Sequence, residues 1–330
     1  MVILAGDIGG TNARLGLFEP DGASLRKIIT TRFPSREHAS LEEIVEQFLA
    51  KVGGPVQRAC FAVAGPVIEG RVAATNLAWI VDAGGLARVA GLDTVRLIND
   101  LEAIAHGLGE LGDADVALLQ AGSPSSEGNR AIIAAGTGLG EAGAYWDGSR
   151  HHPFACEGGH GDFGPRTGIE MELLSNLLRK HDRVSSERVL SGSGLHEIYG
   201  FLRDSGRGQE PGWLTDELAK DPPPVVISRA ARDGRSDLCR DAVHLFVSIY
   251  GAEAGNLALK LMARGGVWIG GGIAPNILPH IRKPIFMDAF LAKGRMQSLL
   301  ETMSVRLILN DDVGLLGAAR HAASEVRRGA

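Results

Sequence analysis

Apolar and turn-forming positions alternate from the first residue: the run MVILA, the turn GDIGGTN, then the apolar ARLGLF. Glu19-Pro20-Asp21-Gly22 marks a second turn before LRKIITTRF, so the opening predicts an antiparallel meander. The period then changes. In LEEIVEQFLAKV the residues Leu41, Ile44, Val45, Phe48 and Leu49 recur at helical spacing, with Ser40 placed to cap the start and Gly53-Gly54 to mark the end. RACFAVAGPV reads as a buried strand broken by Gly-Pro, followed by a helix near GLARVAGL, the strand TVRLIND and a helix from LEAIAHGL. Alternating strands and helices predict a layered α/β domain.

Residues 130–148, RAIIAAGTGLGEAGAYWDG, repeat the opening theme of apolar strand, glycine-threonine turn and second strand, which makes them an internal echo of residues 3–18. The second half reads as mostly helical. Residues 237–266 predict one long helix, VWIGGG a strand running into a glycine turn, ILPHIRK another helix, and DVGLLGAARHAASEVRR a last amphipathic helix. Residues 203–224 read as a surface loop interrupted by one short helix.

Length adds the possibility of two domains, since 330 residues can bury two cores. Glycine, 45 of the 330, stands near double its usual share of roughly 7% and points to many tight turns. The net charge of −5 is dispersed, without a basic run, which argues against a nucleic-acid or membrane surface and for small-molecule partners. No apolar run is long enough to span a bilayer, and Asp7 interrupts the N-terminal one, so a cytoplasmic location is expected. Cys60, Cys156 and Cys239 lack paired spacing and are expected to be reduced thiols.

The candidate chemistry sits in the turns. Asp7 with Gly9, Gly10, Thr11 and Asn12 joins backbone N–H groups suited to phosphate oxygens with a carboxylate suited to Mg²⁺, although a plain hairpin explains the same residues. The echo at Gly136, Thr137 and Gly138 favours phosphate, because two such turns can grip a polyphosphate from both sides. A P-loop is absent, and the Gly138-x-Gly140-x-x-Gly143 match runs into a strand rather than the helix that a dinucleotide site requires. Asn99 and Asp100 close an apolar strand where the chain turns into a helix; either could be its N-cap, and a carboxylate there could also take a proton from a substrate hydroxyl. Residues 151–165 gather His151, His152, Cys156, Glu157, His160 and Asp162 in a glycine-rich loop, suited to hydrogen-bonding a polyhydroxylated ligand and lacking the usual zinc spacing. Glu187 reads as a helix N-terminal acid or a ligand to hydroxyls, and Gly270, Gly271 and Gly272 as a strand-to-helix turn open to a base or ribose.

Together LAGDIGGTNARLGLF, LINDLEA, AAGTGLG, EGGHGDFGP and GGVWIGGGI resemble, in order and along most of the chain, the bacterial glucokinase family of the ATP-dependent type without the zinc motif of ROK sugar kinases. The resemblance implies a two-domain actin-like ATPase fold, ribonuclease H-like, with an interdomain cleft. It places a small α/β domain at 1–110, completed by the C-terminal helix 311–330, and a large α/β domain at 111–310.

It further implies ATP and Mg²⁺, with Asp7 at the metal directly or through water, and Asp100 as the base for the 6-hydroxyl of glucose. Asn99, Glu157, His160 and Glu187 would hold the other hydroxyls. Gly9, Gly10, Thr11 and Asn12, with Gly136, Thr137 and Gly138, would meet the phosphates; Gly270, Gly271 and Gly272 would face the adenosine. The implied assembly is a homodimer, without nucleic acid or membrane. A kinase for another hexose or an N-acetylhexosamine, or a sugar-binding regulator of the same fold, fits the same residues, and ADP or polyphosphate could serve as donor.

Overall fold

The computed structural model describes residues 1–22, 24–74, 77–123 and 127–324. The chain divides into two compact units, one of Met1–Asp115, Pro153–Ala155 and Asn310–Ala330, the other of Val116–His152 and Cys156–Leu309.

The first unit is built on β1 (Ile3–Ile8), β2 (Asn12–Asp21), β3 (Ser24–Pro34), β4 (Arg58–Val63) and β7 (Arg96–Asn99), in the order β3-β2-β1-β4-β7; β5 (Arg71–Ala73) and β6 (Ile80–Asp82) form a separate ribbon. β1 to β3 are the expected meander, and β4 and β7 run parallel to β1. The second turn falls later than the sequence suggests. β2 continues through Pro20 to Asp21, past Phe18 where its pairing with β1 ends, so that only β3 lies beside it there, and Gly22 takes a left-handed φ of 61°.

Strand periodicity sorts β1 by face. Leu4 and Ile8 enter one core with α1 (Leu41–Val52) and α2 (Ala83–Ala90), while Ile3 and Ala5 enter a second core with Leu315, Ala318, Ala319 and Ala322 of the C-terminal helix Val313–Ser324. Asp7, two residues beyond Ala5, therefore faces that helix. Ser40 caps α1 as expected, its hydroxyl accepting the Glu43 N–H at 3.3 Å. The expected last helix is described only as far as Ser324; residues 325–330 lie outside the described part.

The second unit repeats the plan. Its sheet, in the order β11-β10-β9-β12-β13-β8, joins β8 (Val116–Gln120), β9 (Arg130–Ala135), β10 (Leu139–Trp146), β11 (His151–Cys156), β12 (Val267–Gly270) and β13 (Val305–Ile308). β9 pairs antiparallel with β10 and parallel with β12, as β1 does with β2 and β4, so the echo seen in the sequence is a repeat of topology. Two local expectations need correction. Residues 151–156, read as loop, form the edge strand β11; their mixed His, Pro and Phe hide any period of two. The long helix is Asp237–Leu261 and stops at Met262, whose left-handed φ of 49° ends it before Gly265. Segment 203–224 is, as expected, irregular surface chain around one short helix, Gly212–Leu218, with its first and last two residues belonging to the helices Gly192–Asp204 and Pro223–Arg232. Among the described residues no helix is long and apolar enough to cross a membrane.

Candidate active site

In the first unit, the β1–β2 turn and the end of β7 supply the candidate residues. The turn closes on itself: the Gly9 N–H donates to the Asn12 carbonyl at 3.0 Å, and the Ser35 hydroxyl and N–H fasten the Gly9 and Thr11 carbonyls at 2.8 and 3.0 Å. Gly9 has no left-handed φ, so the turn does not need glycine there for its backbone conformation. Thr11 is exposed and Asn12 half-buried. Among the described residues, the N–H groups of Gly10 and Thr11 meet no acceptor within the chain, which leaves them as the outward donors of this turn.

Asp7 lies in a field of acids. Burial pushes its carboxyl up to about 6; Arg14, its partner across the β1–β2 ladder, pulls the other way, while Asp100, Asp312 and Asp311 push it further. Arg14 is shared, at 3.7 Å from both Asp311 and Asp312. A Cβ on Gly314 would stand 3.3 Å from the Asp7 carboxyl carbon, so a glycine in the first turn of the C-terminal helix lets the carboxyl sit against it. A buried carboxyl surrounded by three further acids is a donor set suited to a hard cation with oxygen ligands.

At the end of β7 the structure separates two roles that the sequence leaves merged. Asn99, buried at 7% exposure, is the N-cap of α3 (Asp100–Gly107): its Oδ1 accepts the N–H groups of Leu101 at 2.9 Å and Glu102 at 3.3 Å. Its Nδ2 donates to the Gly65 carbonyl at 3.2 Å, which leaves one amide hydrogen for a ligand. Asp100 follows as the first residue of α3, partly exposed, with Oδ1 accepting from the Leu101 N–H at 2.9 Å. Capping thus falls to Asn99, and Asp100 holds its carboxylate at the open end of a parallel strand.

In the second unit the β9–β10 turn repeats the closure of the first, the Gly136 N–H donating to the Gly138 carbonyl at 2.8 Å. Thr137 is exposed, and a Cβ on Gly136 would meet nothing within 4 Å, so no packing inside the chain demands that glycine. Glu187, in the first turn of the helix Ser186–Val189, accepts the Leu139 N–H at 3.0 Å. A Cβ on Gly138 would stand 2.3 Å from its Oε2, so glycine at 138 lets that carboxylate close on the turn. Glu187 is therefore bound to the turn read as phosphate-binding.

The same helix is tied to the loop carrying Glu157 and His160, through the Ser186 N–H to the Gly161 carbonyl at 2.8 Å and the Phe163 N–H to the Val184 carbonyl at 3.0 Å. Glu157 Oε2 and His160 Nε2 lie 3.8 Å apart, and both side chains are more than half exposed. Gly158 lies directly against Glu141: a Cβ there would fall 1.9 Å from Glu141 Oε2, so any side chain would displace that carboxyl. Burial pushes the Glu141 carboxyl up to about 7, Glu253 adding to the rise and Lys260 opposing it.

Sequence reasoning missed Tyr250. Fully buried in the long helix, its hydroxyl donates toward the carbonyls of Ile133 and Gly270 and accepts the Ala135 N–H, each at 3.2 Å. It joins the ends of β9 and β12, from which the Gly136–Gly138 and Gly270–Gly272 turns leave. Gly271 completes the junction: its φ is 84°, and a Cβ would meet the Ala135 carbonyl oxygen at 2.2 Å. One tyrosine within an apolar helical stripe gives no sign of this role until the register is known.

A family model described as Glucokinase matches residues 4–325. The chain is 44% identical to a glucokinase of Nostoc punctiforme over 98% of its own length and 99% of that protein's. Among solved structures it resembles a glucokinase from an Antarctic psychrotroph, with a TM-score of 0.84, 31% identity and 98% of each chain covered. A ROK family glucokinase of Streptomyces griseus shares the fold at a TM-score of 0.67 and 22% identity, covering 98% of this chain and 99% of that one.

Proposed function

The chain belongs to the glucokinase family, and we propose that it transfers the γ-phosphoryl group of ATP to the 6-hydroxyl of glucose, giving glucose 6-phosphate and ADP, with Asp100 as the general base. The observation that carries the residue assignment is the division of labour at the end of β7, where Asn99 caps α3 and Asp100 keeps a carboxylate at the strand mouth. Phosphoryl transfer asks mainly for positioning and charge neutralisation, and a carboxylate that accepts the hydroxyl proton completes the set.

Gly10 and Thr11 from one unit, and Thr137 and Gly138 from the other, would offer N–H groups to the phosphates. Gly9, Asn12 and Gly136 shape the turns that present them. Gly270, Gly271 and Gly272 would lie against the adenosine. Asp7 would hold Mg²⁺, directly or through water, and the ion when bound supplies neutralising charge to the phosphate oxygens. Its raised carboxyl, set among Asp100, Asp311 and Asp312, supports that placement. Glu157 and His160 would take sugar hydroxyls, Asn99 would offer its remaining amide hydrogen, and Glu187 would act from the Gly138 turn. A cytoplasmic homodimer is the assembly proposed with this reading.

The test is sugar 6-phosphate formation from Mg²⁺-ATP with glucose, mannose, fructose and N-acetylglucosamine in parallel, alongside the Asp100→Asn variant. Product with glucose alone, and a fall in kcat of roughly 10²–10⁴-fold in the variant with glucose binding retained, is the expected result. Near-normal turnover in Asp100→Asn would remove it as the base, and product only with another sugar would reassign the substrate.

A further inference from the structure

We propose that Glu102, His106 and His321 form a zinc-binding site that pins α3 to the C-terminal helix. Glu102 and His106 are four residues apart on α3 and so share one face, and His321 comes from the last turn of the C-terminal helix. Two glycines bring the helices close enough. A Cβ on Gly317 would fall 1.7 Å from the Ala103 carbonyl oxygen, and one on Gly107 would fall 2.2 Å from that of Val313. One helical turn beyond Gly317, His321 meets the residue just before Gly107.

The outcome is a compact donor set. His321 Nδ1 lies 3.1 Å from His106 Nε2, His106 Nε2 lies 3.9 Å from Glu102 Oε1, and the three ligand atoms all fall within 4.8 Å of one another. Tetrahedral zinc with bonds near 2.0–2.1 Å spaces its ligand atoms about 3.3 Å apart, so the histidine pair is already at ligand separation, and Glu102 must approach His106 by about half an ångström and His321 by at most about 1.5 Å, within reach of a side-chain adjustment. Two imidazoles and one carboxylate are a set zinc takes, with water in the fourth position. The side chains of His106 and Glu102 keep 18% and 24% exposure, which gives the ion a route in and that water a place.

In the absence of metal, the 3.1 Å contact requires a hydrogen on one of the two facing nitrogens. Binding moves that hydrogen to the far nitrogen of its ring and turns both lone pairs inward, with no change in the charge of either ring. Burial, with His321 beside it, drives His106 down to about 3, so the ring enters as the neutral ligand that zinc requires. Arg320, the nearest cation in sequence, is paired with Glu110. A hydrogen-bonded histidine pair that only packs two helices is the competing explanation, and it gives Glu102 no part.

The experiment uses the full chain, stripped with EDTA and dialysed, titrated with zinc chloride by calorimetry and followed by thermal unfolding with and without zinc. Wild-type protein is expected to take up about one equivalent and to gain thermal stability when zinc is present. Glu102→Gln and His321→Gln, each checked for native circular dichroism, are expected to weaken binding by about tenfold or more and to lose the zinc-dependent gain, whatever their stability without metal. Absence of uptake at about 100 μM zinc, or uptake unchanged in both variants, would overturn the proposal.

Discussion

At the scale of single residues, Asp7 carries a conflict between stability and the role proposed for it. Its carboxyl titrates at about 6 in the folded chain against 3.8 ordinarily, so the folded state holds a proton that the unfolded state has already released. Stability therefore falls as pH rises from about 4 to about 6, and the cost persists above that window. Asp7→Asn is expected to leave unfolding unchanged near pH 4 and to stabilise the ligand-free protein by on the order of 2 kcal/mol at pH 7–8, while turnover collapses. Urea unfolding of both proteins at pH 4.5 and 7.5 checks it, and a variant no more stable at 7.5 than wild type would refute the burial argument. Part of this was legible beforehand: a lone acid in a glycine turn declares itself in GDIGGTN. The rest was not, because Asp311, Asp312 and Gly314 are three hundred residues away in sequence and only the packing of the last helix on β1 brings them to Asp7.

Among elements, strands with a clean period and helices with caps could be read directly; elements whose packing comes from distant partners could not. β1, β2, β9 and β10 announced themselves, and so did Ser40 at the head of α1. β11 did not, since an edge strand of His, His and Pro has no alternation to show. Tyr250 belongs to the second class, and it makes a testable claim. Its hydroxyl fastens the ends of β9 and β12, so Tyr250→Phe removes three 3.2 Å contacts while keeping the ring and its edge-on packing against Phe246 and Phe286. Loss of hydrogen bonds of this kind costs about 1–2 kcal/mol in stability. The functional consequence should fall on the turns that leave those strands, as a raised KM for ATP with KM for glucose little changed. Equal rises in both would place Tyr250 in general stability instead of in the turns proposed to hold the nucleotide.

For the whole molecule, the order of the chain and the order of its cores disagree, and that has a consequence for folding. One core of the first unit joins Ile3, Ala5, Phe18, Cys60, Ala62 and Ile98 to Leu315, Ala318, Ala319 and Ala322. That face of the N-terminal sheet thus has only α3, through Ala103, to cover it until the last helix is made. Each large apolar side chain left exposed costs about 1.5–3 kcal/mol, and losing the cover over Ile3, Phe18 and Ile98 alone approaches the 5–15 kcal/mol that holds a domain together. The core of the second unit draws on residues from Ala117 to Leu307 and owes nothing to that helix. A chain ending at Leu309 should therefore keep residues 116–309 protected in limited proteolysis while residues 1–115 are cut rapidly, and hydrogen exchange should show the same division. Uniform protection across the shortened chain would mean that the sheet β3-β2-β1-β4-β7 holds with one face open, and uniform loss would mean that the two cores fold only together.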